Sequence, residues 1–283
     1  MKYGVVDVGG GLRGIYAAGV FDRCLDEGFH FDLCVGVSAG SANTASYLSG
    51  QRGRNYRFYC KYAFRKEYMS LRNFLKTGAY LDLGYAYETL SAPDGEDPFA
   101  FGPFFASSGE FYAVATDAVT GEARYFTKDD VGLVGMRVFM ASSAIPFISH
   151  PCGICGANYY DGALGDPVPV DKAFALGCDK VVLVLTRPRD FIRTAEKDSR
   201  LAACIQHKYP RAAEKLRLRA AHYNEQVTRA KEYEAEGRLL IVAPDVIGGV
   251  DTLTKDKSAL RRLYAKGYRD AEAIRTFIKQ KRL

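Results

Sequence analysis

The sequence predicts an α/β fold, one compact unit with helical embellishment, and three observations carry that expectation. Short, continuously apolar runs alternate with helix-like segments, as buried strands do in α/β proteins. Two of the early runs lead straight into tight, small-residue turns, Gly9-Gly10-Gly11-Leu12-Arg13-Gly14 and Gly36-Val37-Ser38-Ala39-Gly40, and each turn opens a helix-like segment. No Gly/Ser-rich linker and no internal repeat divides the 283 residues, a length able to bury one large core or a core with a helical appendage.

The elements follow in order. Residues 3–8 read as a first strand, residues 9–14 as a glycine loop, and the chain from Ile15 as a helix. Phe31-Asp32-Leu33-Cys34-Val35 is a second strand, and Ala39-Gly40-Ser41-Ala42-Asn43-Thr44-Ala45 can pack closely against a sheet. Residues 52–75 are rich in Arg, Lys, Tyr and Phe and read as further helix and loop, and residues 92–98 form a turn cluster. Phe99, Phe101, Phe104 and Phe105 after it suit either the rim of an acyl-chain site or packing beneath a loop. Residues 111–116 and 123–126 flank Thr120-Gly121 as a hairpin. Residues 181–185 are a buried strand, residues 195–236 charged helix, residues 239–243 another buried strand expected at the sheet edge, and residues 258–279 a final helix.

Gly-x-Ser-x-Gly between a strand and a helix is the pattern of a nucleophile elbow. The turn is tight, and a side chain at Gly36 or Gly40 would collide with its neighbours. Ser38 is then exposed at the carboxyl end of the sheet, beside a helix amino end that favours negative charge. A small-residue turn without chemistry is the bland reading. The glycine loop also matches Gly-x-Gly-x-x-Gly through Gly9, Gly11 and Gly14, so a nucleotide-binding reading competes. That reading needs an acid at the end of the second strand, where Asp32 is not. Beside a serine elbow, the unobstructed loop N–H groups suit an oxyanion better.

Asp161 is the candidate base. It follows Asn158-Tyr159-Tyr160 and precedes Gly162, which permits a sharp turn, and a partly buried carboxylate can accept a serine proton. The histidines fit less well. His207 and His222 lie in cationic helical segments, His30 precedes a strand, and His150 stands beside Pro151.

These residues resemble the patatin-like phospholipase family. That family pairs a Gly-Gly-Gly-x-Arg-Gly oxyanion loop with a Gly-x-Ser-x-Gly elbow and an Asp-Gly-Ala or Asp-Gly-Gly motif. The resemblance implies Ser38 as nucleophile, Asp161 as base of a dyad without histidine, and residues Gly9, Gly10, Gly11, Leu12, Arg13 and Gly14 as the oxyanion loop. Ala141-Ser142-Ser143-Ala144-Ile145-Pro146-Phe147 resembles the stretch that precedes the aspartate. It further implies a three-layer α/β/α sandwich with a mainly parallel central sheet and a helical C-terminal extension. The expected activity is lipid acyl hydrolysis, as a phospholipase A or lysophospholipase-like esterase; the alternatives are a nucleotide-binding Rossmann-like protein or a lipid-binding module without turnover. The expected domains are residues 1–186, catalytic, and residues 187–283, a basic and mainly helical extension.

No metal or cofactor is expected. Cys152-Gly153-Ile154-Cys155 lacks the further ligands of a closed zinc site and reads as an incidental pair in a hairpin. Seven scattered cysteines read as free thiols in a reducing compartment, no leader is apparent in residues 1–20, and no apolar run is long enough to span a bilayer. The expected location is the cytoplasm, with the inner membrane surface as a peripheral site. Residues 187–283 carry 23 Lys+Arg against 13 Asp+Glu, and residues 1–186 carry 16 against 20. The cations Arg193, Arg200, Lys208, Arg211, Lys215, Arg217 and Arg219 suit an anionic membrane, or else pair with Glu196, Glu214 and Glu225 and face water. No nucleic-acid-reading module is present, so no such partner is expected.

Overall fold

A computed structural model describes residues 1–279. Strands β1 (Tyr3–Asp7), β2 (Leu33–Val37), β3 (Glu110–Asp117), β4 (Ala123–Phe126), β5 (Cys152–Ile154), β6 (Ala157–Asp161), β7 (Lys180–Val184) and β8 (Leu239–Val242) form one sheet. Its order is β5-β6-β3-β2-β1-β7-β8, with β4 on β3. The five strands from β3 to β8 in that order are parallel, while β6 and β4 each pair antiparallel with β3, and β5 pairs antiparallel with β6. The parallel strands β2 and β7 are buried at every position, which explains their unbroken apolar character.

Alternation sorts the side chains into two cores. Val5, Cys34, Ala113 and Val182 face helices α1 (Ile15–Asp26) and α2 (Ala39–Leu48), while Val6, Val35, Val114 and Leu183 face the other way. Tyr223 and Val227 of the Pro210–Ala235 helix and Ala173 of the Val170–Ala175 helix cover that second face. The result is a mixed α/β fold of three layers with a mostly parallel central sheet and a helical C-terminal region.

The C-terminal region is built into the same body. β8 hydrogen-bonds along β7 from Val181 to Val184. The Lys257–Asp270 helix crosses α1 with its backbone in contact: a Cβ at Gly267 would lie 2.0 Å from the Tyr16 carbonyl oxygen, and one at Gly19 would lie 2.2 Å from that of Tyr264.

Several elements differ from the sequence reading. The charged stretch is two helices, Glu196–Ile205 and Pro210–Ala235, because Pro210 starts a new helix at its first turn. The final segment breaks at Ala271 into Lys257–Asp270 and Glu272–Lys279. Of the two readings of the aromatic residues after the turn cluster, packing holds for Phe99 and Phe104, which sit with Phe111 and Phe139 in the core beneath the loop. Cys152 is buried in β5, whereas Cys155 is exposed at the hairpin turn. Much of the basic charge is engaged. Arg193 and Arg219 turn onto buried Asp198, Arg211 pairs with Glu214, and Lys215 with Glu122. No helix among the described residues is long and apolar enough to cross a membrane.

Candidate active site

The glycine loop and the elbow both lie at the carboxyl ends of parallel strands, where side chains from several loops converge. Ser38 follows β2 directly and holds φ 57° and ψ −129°, a strained conformation for a residue with a side chain. The strain persists because the turn has no room to relax. A Cβ at Gly36 would lie 2.4 Å from Ser41 Cα, and one at Gly40 would lie 2.3 Å from the Asp7 carbonyl oxygen. The Ser38 N–H donates to Ser142 Oγ at 2.9 Å, and Ser41 Oγ–H donates to the Ser38 carbonyl at 2.7 Å. These bonds fix the backbone of the turn, and the Ser38 side chain makes no capping hydrogen bond to the α2 amino end.

Asp161 ends β6 and is 3% exposed. Its N–H donates to the Ala144 carbonyl at 2.8 Å, and its Oδ1 accepts from the Ala163 N–H at 2.9 Å. The turn after it needs glycine, since a Cβ at Gly162 would lie 2.2 Å from the Val114 carbonyl oxygen. Burial raises the Asp161 carboxyl above the usual range; a hydrogen bond with the Ser38 side chain, the Ala163 N–H, Arg219 and Arg193 oppose that rise. Ser38 and Asp161 line the same cleft.

The six loop residues divide by role. Gly9, Gly10 and Gly11 have φ of 63°, 122° and 60°, a left-handed path open to glycine. The Gly9 N–H donates to Asp7 Oδ1 at 2.9 Å, and the Leu12 N–H to the Thr252 carbonyl at 3.0 Å. Gly14 is a packing glycine, with Tyr59 Oη 2.5 Å from where its Cβ would be. Arg13 is buried and donates from Nη1 to Asp251 Oδ1 at 2.5 Å and Thr252 Oγ1 at 3.0 Å. Burial, with Arg187 nearby, lowers its pKa to about 10. Among the described residues the N–H groups of Gly10 and Gly11 have no partner. Of the six loop residues expected from the sequence, Gly9 and Leu12 thus have their N–H groups engaged.

Asp7 is a component that the sequence reading passed over. Fully buried, it accepts from Gly9 N–H and from Asn43 Nδ2, both at 2.9 Å, and so ties β1, the loop and α2 together. Burial raises its pKa to about 7 against those two donors. Asn43 is fixed in turn, donating to the Gly14 carbonyl at 3.0 Å and accepting from Tyr59 Oη at 3.2 Å.

Two cavities meet at Ser38. The smaller, about 60 Å³, is lined by Leu12, Phe58, Tyr59, Leu81, Leu83 and Tyr87. The larger, about 960 Å³, is a cleft lined by Asp161, Arg13, Arg187 and Arg219 among others. Ser38, Gly11 and Ile145 belong to both. No histidine lines either cavity; His150 Nε2 instead lies 2.6 Å from the Thr77 carbonyl. Asp32 accepts from the Tyr3 N–H at 2.7 Å, at the opposite end of β1 from the loop, so the acid that a dinucleotide site requires is missing there. Among the described residues no group of His, Cys, Asp and Glu is arranged to hold a metal ion.

Known proteins extend this picture. The chain is 30% identical over 199 residues to the uncharacterized protein YjjU of Escherichia coli K12, an alignment covering 69% of this chain and 55% of that one. It therefore spans about half the length of that curated relative. The crystal structure of VipD from Legionella pneumophila superposes with a TM-score of 0.49 at 12% identity, over 96% of this chain and 66% of that one. Residues 209–280 match a domain of unknown function, DUF6363. Residues 8–174 match the model for patatin-like phospholipase, a span of more than half the chain that holds the loop, the elbow and Asp161. On that match, the chain belongs to the patatin-like phospholipase family.

Proposed function

We propose that the protein is a serine esterase that hydrolyses lipid acyl esters through an acyl-serine intermediate. The observation that carries this reading is the strained Ser38, which shares one cleft with the buried Asp161 and with Gly10 and Gly11, whose N–H groups have no partner among the described residues. Ser38 Oγ attacks the ester carbonyl carbon as its proton passes to Asp161. Gly10 and Gly11 donate to the oxygen that becomes negative. Collapse breaks the ester bond, and Asp161 returns the proton to the departing alcohol. Water then attacks the acyl-serine, Asp161 takes one proton, and the acid leaves with Ser38 restored. The smaller cavity, mainly apolar but lined also by Arg54 and Asn55, suits the acyl end nearest the carbonyl, and the cleft suits the alcohol side.

A fluorophosphonate probe and a short p-nitrophenyl ester test this directly. Labelling and turnover are expected in the native protein and absent in Ser38→Ala. Turnover by a folded Ser38→Ala variant at the native rate refutes the assignment. The basic C-terminal region supports a second part of the proposal, peripheral attraction to anionic membranes from the cytoplasmic side. Sedimentation with anionic vesicles that weakens with salt is expected; equal binding to zwitterionic vesicles refutes it.

A further inference from the structure

The cleft beside Ser38 carries more positive charge than its own carboxylates balance. Asp251 Oδ1 accepts from Arg13 Nη1 at 2.5 Å and from Arg187 Nη2 at 3.3 Å. Asp198 accepts from Arg193 at 3.0 Å through both Nε and Nη2, and also from Arg219. Each carboxylate is thus shared by two guanidinium groups. Across the whole lining, six cationic side chains face four carboxylates even when Asp161 is counted as ionised, an excess of two.

Two of these guanidinium groups also keep a buried donor unused. Arg13 is 6% exposed, and its Nε has no partner; the buried Arg187 Nε is likewise unpaired. Leaving charged donors buried and unpaired is costly. Holding the glycine loop does not require the surplus, since Leu12 is already bonded to Thr252. Arginine is the side chain best matched to phosphate oxygens, through planar, charge-assisted hydrogen bonds.

We propose that this cleft binds a phosphate dianion, as the monoester headgroup of a lipid or as free phosphate. The two uncompensated charges match a monoester rather than a choline diester, whose ammonium would meet like charge. The placement beside the departing alcohol rests on the esterase reading, but binding itself needs no turnover.

The test uses Ser38→Ala protein and titration calorimetry with glycerol 3-phosphate, inorganic phosphate and glycerophosphocholine. Glycerol 3-phosphate is expected to bind at least about tenfold tighter than glycerophosphocholine. Adding Arg187→Gln weakens it by about tenfold, and Arg187→Lys restores part of the loss, with melting temperature reporting that each variant is folded. Inorganic phosphate binding more weakly than glycerol 3-phosphate assigns the site to a headgroup; equal binding assigns it to free phosphate, and either keeps the dianion site. Equal affinity for glycerol 3-phosphate and glycerophosphocholine, no saturable binding, or a folded Arg187→Gln variant with unchanged affinity overturns it. Fluorophosphonate labelling of the native protein reports separately on the esterase reading. Labelling without phosphate binding refutes the anion site alone, and binding without labelling refutes the esterase alone.

Discussion

Gly9→Ala separates the two reasons for a glycine at the loop's first position. Gly9 has φ 63°, and an added Cβ would lie 2.2 Å from the Val37 carbonyl oxygen, 2.9 Å from Gly40 N and 3.0 Å from Ala39 N. All three are backbone atoms of the elbow, so none can swing aside. Gly28 has nearly the same φ, 65°, with nothing within 4 Å of its Cβ position. Gly28→Ala therefore incurs the left-handed cost alone, about 1–2 kcal/mol. Gly9→Ala incurs that and the overlap, about 1–3 kcal/mol more. At about 2 °C per kcal/mol for a chain of this size, the two melting temperatures should differ by roughly 2–6 °C. The larger difference is in rate. The clash is relieved only by moving the loop away from Ser38, and a displacement of about 1 Å at a reacting centre costs on the order of 10²-fold. Thermal melting and kcat/KM on a short p-nitrophenyl ester measure both quantities. Equal stability and equal activity of the two variants would refute the claim that the loop is seated on the elbow.

Asp161→Asn should lower kcat/KM by about 10²–10⁴. Because Asp161 must be ionised to accept a proton and burial raises its pKa, native activity should fall on acidification at a higher pH than for an ordinary carboxylate; a rate flat down to pH 4 contradicts this. His150→Ala, His207→Ala and His222→Ala should each keep activity within about tenfold, and a histidine variant as inactive as Ser38→Ala identifies a different base. Asp7, with a folded pKa of about 7 against 3.8 when exposed, binds its proton more tightly in the native state. Its contribution to stability therefore declines as pH rises from about 4 to 7, by up to about 4 kcal/mol, and is level above. Urea unfolding of native protein and Asp7→Asn at pH 5 and pH 8 should show a larger native advantage at pH 5. Gly267→Ala should lower stability despite a helix-propensity gain of about 1 kcal/mol, because its Cβ would lie 2.0 Å from the Tyr16 carbonyl oxygen; a raised melting temperature refutes the close helix crossing.

The elbow, the glycine loop and the Asp-Gly turn were legible in the sequence because each depends on backbone shape that only glycine tolerates. Gly36, Gly40 and Gly162 would all place a Cβ within 2.4 Å of backbone. The division of labour inside the loop was not legible. Which N–H groups stay free depends on Asp7, hidden within an otherwise apolar strand, and on Thr252, 240 positions further along the chain. The choice between rim and core for the aromatic residues after the turn cluster was open for a similar reason. Phe99 and Phe104 pack as core, while Tyr59 and Tyr87 line the cavity, a distinction fixed by tertiary packing rather than local pattern. The basic C-terminal region showed its charge but not its direction, since Arg193 and Arg219 face inward to Asp198.

The hold of Asp251 and Thr252 on the glycine loop has a consequence for the order in which the molecule is made. Ser38 and Asp161 leave the ribosome well before these clamps, Asp251 following Asp161 by 90 residues. At about 5–20 residues per second, that interval lasts roughly 5–20 s. Throughout it the nascent chain has the proposed nucleophile and base but no anchor for Leu12 and Arg13. On the proposed reaction, catalysis is thereby withheld until synthesis has passed the C-terminal loop. Fluorophosphonate labelling of Ser38 in a ribosome-bound chain stopped at residue 250, as efficient as in the finished protein, would contradict such a delay.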